Sequence, residues 1–276
     1  MWPLDRASPR ECVLVGRFAA ERWACSGASM SLVARQPLPL DAWQKPDCAA
    51  AAVKGLYPGK PAGKVTLIVE SAWLPLLLAD TGGALGSKAQ VEALIRHRLE
   101  LLYGDSGEAV SDWELRVDHR AGRRFALGYG LSPRVKQGLV EAGRGIDLRW
   151  DALVPAFAWG WQRLRPSRRW PQRTGWWIWP EQDRLMAASV VSNQLVVLNA
   201  GAVRQSSEAA DIERLVAIEE VRQGVIGSSD PISVGTWDHP EHLAHGSKRL
   251  TAVSITGPLR MAAAGAGVQQ AAKVST

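Results

Sequence analysis

The hydrophobic positions of the chain change period several times, and each change marks an element. Glu11–Phe18, centred on Cys12-Val13-Leu14-Val15-Gly16, is a short apolar run. Glu21–Ser26 and Ser31–Arg35 follow across tight Gly, Ala and Ser connections. Three short runs so spaced predict an antiparallel meander. Pro37, Pro39 and Pro46 then break the pattern. A helix is expected within Asp41–Val53, most strongly at Ala49–Ala52, and the stretch from Tyr57 to Gly63 is a turn-rich connector. Lys64–Glu70 sets Val65, Leu67 and Val69 on one face and Ile68 on the other, the pattern of a buried strand. Ala72–Asp80 is a further strand or an extended edge segment, because Pro75 has no N–H for a central ladder.

The chain from Ser87 to Trp161 reads as one unit. Val91, Leu94, Ile95, Leu99 and Leu102 recur at helical spacing over Lys88–Tyr103. Ser87 and Gln90 form an S-x-x-Q capping box at its start, and Gly104 stops it. Asp112–Asp118 alternates Trp113, Leu115 and Val117, turns at Ala121-Gly122, and pairs with Arg124–Gly130. Ser132 and Pro133 open a second helix bearing Val135, Leu139 and Val140, with Gly143 as its stop. Ile146–Trp150 is expected as a strand, and Asp151 as the cap of a helix carrying Leu153, Val154, Phe157 and Trp161.

Beyond a basic, Pro-containing connector at Arg163–Arg173, the pattern of the first half returns. Trp176–Trp179, Leu185–Val191 and Gln194–Asn199 are three strands, the last two joined at Ser192-Asn193. Glu208–Gly224 is a long helix with Leu215, Ile218, Val221 and Val225 as its apolar stripe. Pro231–Trp237 and Thr251–Ile255 are strands, Asp238-His239-Pro240 starts a short helix, and Gly257–Gln270 is a helix of small residues. Both halves run meander, helix, further strand and helix, which makes the chain α/β with mixed sheets.

Composition narrows the chemistry. The 276 residues suit one large domain or two lobes. The net charge of +6, much of it Arg, permits an acidic partner without demanding one. Thirteen Trp against three Phe and three Tyr make indoles the main bulky packing groups. Cys12, Cys25 and Cys48 are an odd number without C-x-x-C spacing, which fits core-filling thiols in a reducing compartment. The longest apolar runs, Ala72–Ala79 and Val190–Val197, fall far short of the roughly 20 residues of a membrane span. The stretch Met1–Arg6 lacks an apolar signal-type segment, so a cytoplasmic chain is expected.

Candidate sites are few. Thr81–Lys88 has the look of a phosphate-binding P-loop, but Ser87 precedes Lys88 where the motif needs the reverse order. His239, His242 and His245 could share a metal on a helix; the third drifts round the axis, and a capped surface helix explains the stretch as well. Between Trp159 and Trp177, Arg163, Arg165, Arg168, Arg169 and Arg173 interleave with indoles. That composition suits a nucleic-acid surface, an anionic membrane or acidic-protein contact, or a plain linker. No Ser/His/acid triad or G-x-S-x-G elbow is readable. Glu219 and Glu220 point about 100° apart on their helix and are expected on a solvated face. No catalytic, cofactor-binding or metal residue is therefore assigned.

The succession of Gln90-Val-Glu-Ala-Leu-Ile-Arg-His-Arg-Leu-Glu100, a strand opening Asp112-Trp113, a helix ending Val140-Glu-Ala-Gly143, a strand ending near Trp150-Asp151 and the Leu153–Trp161 helix resembles a known family. It is similar to the cytoplasmic actin-like assembly proteins of type IV pili (the PilM type) and to the cytoplasmic actin-like domain of the type II secretion L protein. The resemblance implies an actin-like, duplicated ribonuclease-H-like fold of reduced size. Residues 1–162 would be the first lobe, with an inserted subdomain at about 64–131. A basic linker at 163–174 and a second lobe at 175–276 would follow.

Actin-like ATPases hold Mg-ATP with two Asp-x-Gly hairpins. Here Leu14-Val15-Gly16 keeps the Gly without the Asp. Trp176-Trp177-Ile178-Trp179-Pro180-Glu181 keeps neither; its indoles are expected in the phosphate space, and Pro180 lacks a donor. The adenine-side glycine pair is reduced to Gly235, followed by Thr236-Trp237. The resemblance thus implies a non-enzymatic pseudo-ATPase without a cofactor, a scaffold of an inner-membrane assembly platform. Its partner would be an inner-membrane protein with a short cytoplasmic tail, and a secretion ATPase is a second candidate. Association with the membrane would run through these partners. The alternatives are retained ATP binding and a nucleic-acid-binding module using the Arg/Trp-rich linker.

Overall fold

A computed structural model of the chain describes residues 11–26, 29–42, 45–59, 64–83, 87–105, 108–119, 123–164, 174–202, 208–225, 228–236 and 250–254. The elements of the first half are Glu11–Val15 (β1), Ala19–Ser26 (β2), Ser29–Pro37 (β3), Pro46–Gly55 (α1), Lys64–Val69 (β4), Leu76–Asp80 (β5), Lys88–Tyr103 (α2), Glu114–Asp118 (β6), Phe125–Leu131 (β7), Pro133–Arg144 (α3), Arg149–Pro155 (β8) and Ala156–Leu164 (α4). Those of the second are Gly175–Pro180 (β9), Arg184–Val191 (β10), Gln194–Ala202 (β11), Glu208–Arg222 (α5), Ile232–Thr236 (β12) and Leu250–Ser254 (β13).

One topology occurs twice. The first sheet has the order β3-β2-β1-β4-β8 and the second β11-β10-β9-β12-β13. In each, the first three strands are an antiparallel meander, and two further strands add in parallel beside the first. The parallel additions need crossovers, and in each half a helix follows the meander before the fourth strand returns. Lys64–Val69 is thereby a central strand of the first sheet.

Between β4 and α3 the first half carries a small sheet of its own, β5-β7-β6, under α2. Period-2 alternation on β7 explains its place. Leu127, Tyr129 and Leu131 face the main core, while Ala126 faces α2 with Val91, Ile95 and Leu99. Gly128 and Gly130 extend that second row. A Cβ at Gly130 would lie 2.8 Å from both Leu99 Cδ1 and Trp113 Cε3. Small residues on the strand thus let the helix seat closely. The capping box is present: the Ser87 hydroxyl accepts from the Gln90 N–H, and the Gln90 side chain accepts from the Ser87 N–H.

Several local expectations change. Asp151 does not cap a helix, because Ala152, Leu153 and Val154 continue β8 against Thr66, Leu67 and Ile68. The ladder with β4 wins over local helix pattern, Pro155 closes the strand, and α4 starts at Ala156. Gly143 lies inside α3, pressed by the Trp150 indole, and Gly145 is the cap. Leu102 is 63% exposed, since the buried row of α2 ends at Leu99. On α5 the phase is rotated: Ile212, Leu215 and Val216 are buried, and Ile218, Val221 and Val225 are exposed. That rotation buries Glu219 and Glu220, contrary to the expected solvated face. The Glu219 carboxylate accepts from Asn199 Nδ2 of β11 at 2.5 Å and from Arg222 at 2.6 Å, which makes its burial tolerable.

His239, His242 and His245, the connector at 165–173, the turn at Ala121-Gly122 and the Gly257–Gln270 stretch lie outside the described residues. Among the described residues, no helix is long and apolar enough to cross a membrane.

Two substitutions test this packing. Ser87→Ala should lower the unfolding free energy by about 1 kcal/mol through the lost cap. Leu99→Ala, which empties the space over Gly130, should cost about 2–5 kcal/mol. Urea titration measures both, and a Leu99→Ala loss no larger than that of Ser87→Ala would contradict the seating of α2.

Candidate functional site

The repeated topology sets two tight turns against each other. One is Gly16-Arg17-Phe18, between β1 and β2, closed by the Gly16 N–H donating to Ala19 O at 3.0 Å. The other is Glu181-Gln182-Asp183, between β9 and β10, closed by the Glu181 N–H donating to Arg184 O at 2.8 Å. Glu70 and Ser71, just past β4, complete the junction. Converging backbone N–H groups of this kind make an anion-binding concavity.

In this chain its own side chains answer those groups. The Arg17 N–H donates to Glu70 Oε2 at 3.0 Å and the Gln182 N–H to Glu70 Oε1 at 3.0 Å. Phe18 and Ala19 donate to Gln182 Oε1 at 2.5 and 3.0 Å. The Ser71 N–H donates to both oxygens of Glu181 at 3.0 Å, and the Ser71 hydroxyl donates to Glu181 Oε2. Arg17 reaches Asp183 at 2.8 Å, and Arg184 holds the other Asp183 oxygen at 2.9 Å. Gly16 is required here by close approach: a Cβ on it would collide with the Gln182 amide.

Burial sets the electrostatics. Glu70 and Glu181 are 2% and 6% exposed. Burial, and then the neighbouring Glu181 carboxylate, push Glu70 well above the usual carboxylate range, against the N–H groups of Gln182 and Arg17. Burial pushes Glu181 up to about 7, against the Ser71 hydrogen bonds. Burial raises Asp183 too, but hydrogen bonds and charge from Arg184 and Arg17 outweigh it and hold Asp183 low.

The indoles expected in the phosphate space sit elsewhere. Trp176 and Ile178 face α5, and the alternate residues Trp177 and Trp179 face the main core. A Cβ on Gly235 would lie 2.5 Å from the Trp177 ring and 2.7 Å from the Trp179 ring, and one on Gly160 of α4 would run into Trp179. The indoles therefore close the Gly235 side, while Glu70, Glu181 and Gln182 fill the space between the hairpin tips. Sequence reasoning missed Arg17, Glu70, Ser71, Gln182 and Asp183. One signal was readable: Glu70 directly follows a run that is apolar from Val65 to Val69 except for Thr66.

The other candidates separate. Ser87 and Gln90 are exposed and serve as the cap of α2, remote in role from phosphate binding. Cys12 and Cys25 bring their sulfurs to 3.5 Å on β1 and β2, and Cys48 is part-buried on α1. Among the described residues no cluster of three or more His, Cys, Asp or Glu could hold a metal.

No protein-family model and no curated protein sequence matches the chain. Solved structures do. A Bacteroides thetaiotaomicron protein with actin-like ATPase fold and unknown function superposes at TM-score 0.50, with 10% identity over 84% of each chain. A chain of the PilM–PilN type IV pilus biogenesis complex superposes at TM-score 0.52, with 14% identity over 79% of this chain and 70% of that one. The cytoplasmic domain of EpsL, an inner-membrane component of the Vibrio cholerae type II secretion system, reaches TM-score 0.49, with 14% identity over 82% of each chain. The first two of these show the fold to be actin-like, with two ribonuclease-H-like halves of one topology.

Gln182→Ala would strip the acceptor from two N–H groups, that of Ala19 on a buried residue. A loss of about 1–3 kcal/mol is expected by urea titration. The exposed Gln194→Ala should change stability by less than about 0.5 kcal/mol.

Proposed function

We propose that this actin-like chain is a non-enzymatic scaffold of a type IV pilus or type II secretion-like assembly platform, binding a cytoplasmic segment of an inner-membrane partner. One observation carries the reading. The N–H groups that would cradle a nucleotide's phosphates already hold Glu70, Glu181 and Gln182. A triphosphate entering there would displace them and meet two buried carboxylates. The Trp177 and Trp179 rings against Gly235 supply a second obstacle. A chain that keeps the architecture while filling its own cleft is suited to holding other proteins.

The fold shared with a chain of the PilM–PilN complex supports the choice of system. On this reading residues 1–162 are a first lobe with its insertion at about 64–131, 163–174 a linker and 175–276 a second lobe. The groove beside the Ser87–Trp161 unit receives the partner, and the chain works in the cytoplasm, held at the inner membrane by its partners. A secretion ATPase is the second candidate partner.

Calorimetric titration with Mg-ATP should show no saturable binding in the micromolar range. Saturable binding there would favour a functioning nucleotide site and end the pseudo-ATPase reading. Capture of the tagged full chain from its native cell should co-purify an inner-membrane protein. Recovery of only cytosolic enzymes or nucleic acid would count against the scaffold.

A further inference from the structure

Glu70 and Glu181 are joined in a way neither hairpin needs by itself. The Glu70 carboxylate accepts from the N–H of Gln182, the residue after Glu181. The Glu181 carboxylate accepts from the N–H of Ser71, the residue after Glu70. Each glutamate thus caps the chain that carries the other, one from the end of β4 in the first sheet and one from the β9–β10 turn in the second. Charge count adds a condition. The facing groups are Arg17 on the β1–β2 turn, and Asp183 and Arg184 on the β9–β10 hairpin, with Tyr103 of α2 near Arg184. Three carboxylates meet two guanidiniums, so the cluster is neutral only when one carboxylate carries a proton.

We propose that the cross-capped Glu70–Glu181 pair is a proton-operated clasp between the two hairpins, closed while one carboxylate is protonated and loosened as pH rises. The inference stands on the junction geometry and is independent of the scaffold reading. Closure seals the carboxylates from water, and opening returns them to it. In the open form Glu181 titrates near the ordinary glutamate value of 4.5, and in the closed form at about 7. Across that window the closed form holds one more proton than the open form. Opening is therefore favoured by rising pH, about tenfold per unit, and levels off above the upper value. Glu70 is shifted in the same direction, so the single proton belongs to the pair and not to one carboxylate.

Amide exchange of the full chain tests this, corrected for the intrinsic pH dependence of exchange. The N–H groups of Arg17, Ser71 and Gln182 should open progressively more from pH 5 to 7 and level off above that. Amides of α2 serve as the reference and should show no such slope. Glu181→Gln, neutral at every pH and still able to accept from Ser71, should lose most of the slope. Ser71→Ala removes a donor that favours the ionised form, so its plateau should be reached at higher pH than in the wild type; it also serves should Glu181→Gln fail to fold. A flat wild-type profile, an unchanged slope in Glu181→Gln, an unmoved plateau in Ser71→Ala or an equal slope in α2 would each overturn the clasp.

Discussion

Backbone N–H groups drawn together away from water must find an acceptor, and most of this structure can be understood from how that demand is met at one junction. The duplicated topology brings two tight turns and the end of β4 to the same place. In doing so it gathers the N–H groups of Arg17, Phe18, Ala19, Ser71 and Gln182. Left unanswered, a buried donor costs about 1–3 kcal/mol. This chain answers from within, with two glutamates and one glutamine. The junction's donors are met by the chain's own side chains.

The second constraint is shape. Trp177 and Trp179 lie on the face of β9 that joins the main core, and they fit because Gly160 and Gly235 offer no Cβ. The same device recurs at smaller scale in β7, where Gly128 and Gly130 admit Ile95 and Leu99. In both places a bulky apolar group on one element meets a residue without a side chain on the other. Dispersion and exclusion of water then bind the layers.

How far this could be read from the residues depended on how local the determinants are. The meanders, the capping box at Ser87 and Gln90, and the α2 and α3 helices are written in short-range spacing and emerged as expected. The β8–α4 boundary did not, because pairing with Thr66–Ile68 decides it. The phase of α5 misled because Ile218, Val221 and Val225 form an apolar row that stays at the surface. Asn199, on β11, stabilises the burial of Glu219. The junction was legible only in outline. The loss of both Asp-x-Gly patterns was visible, whereas the replacement by Glu70, Glu181 and Gln182 depends on contacts spanning more than 100 positions.

The indoles of β9 bear on the integrity of the chain as a whole. Trp177, Trp179, Met186, Ala188 and Val190 share one buried cluster with Val15, Val69, Phe157 and Trp159 from the first half. Severing the chain within 165–173 would leave each fragment with a broad apolar face bare. Neither piece would be expected to stay soluble alone, whereas the two produced together should reassemble around the indoles. The two halves share one topology, but they are not independent folding units.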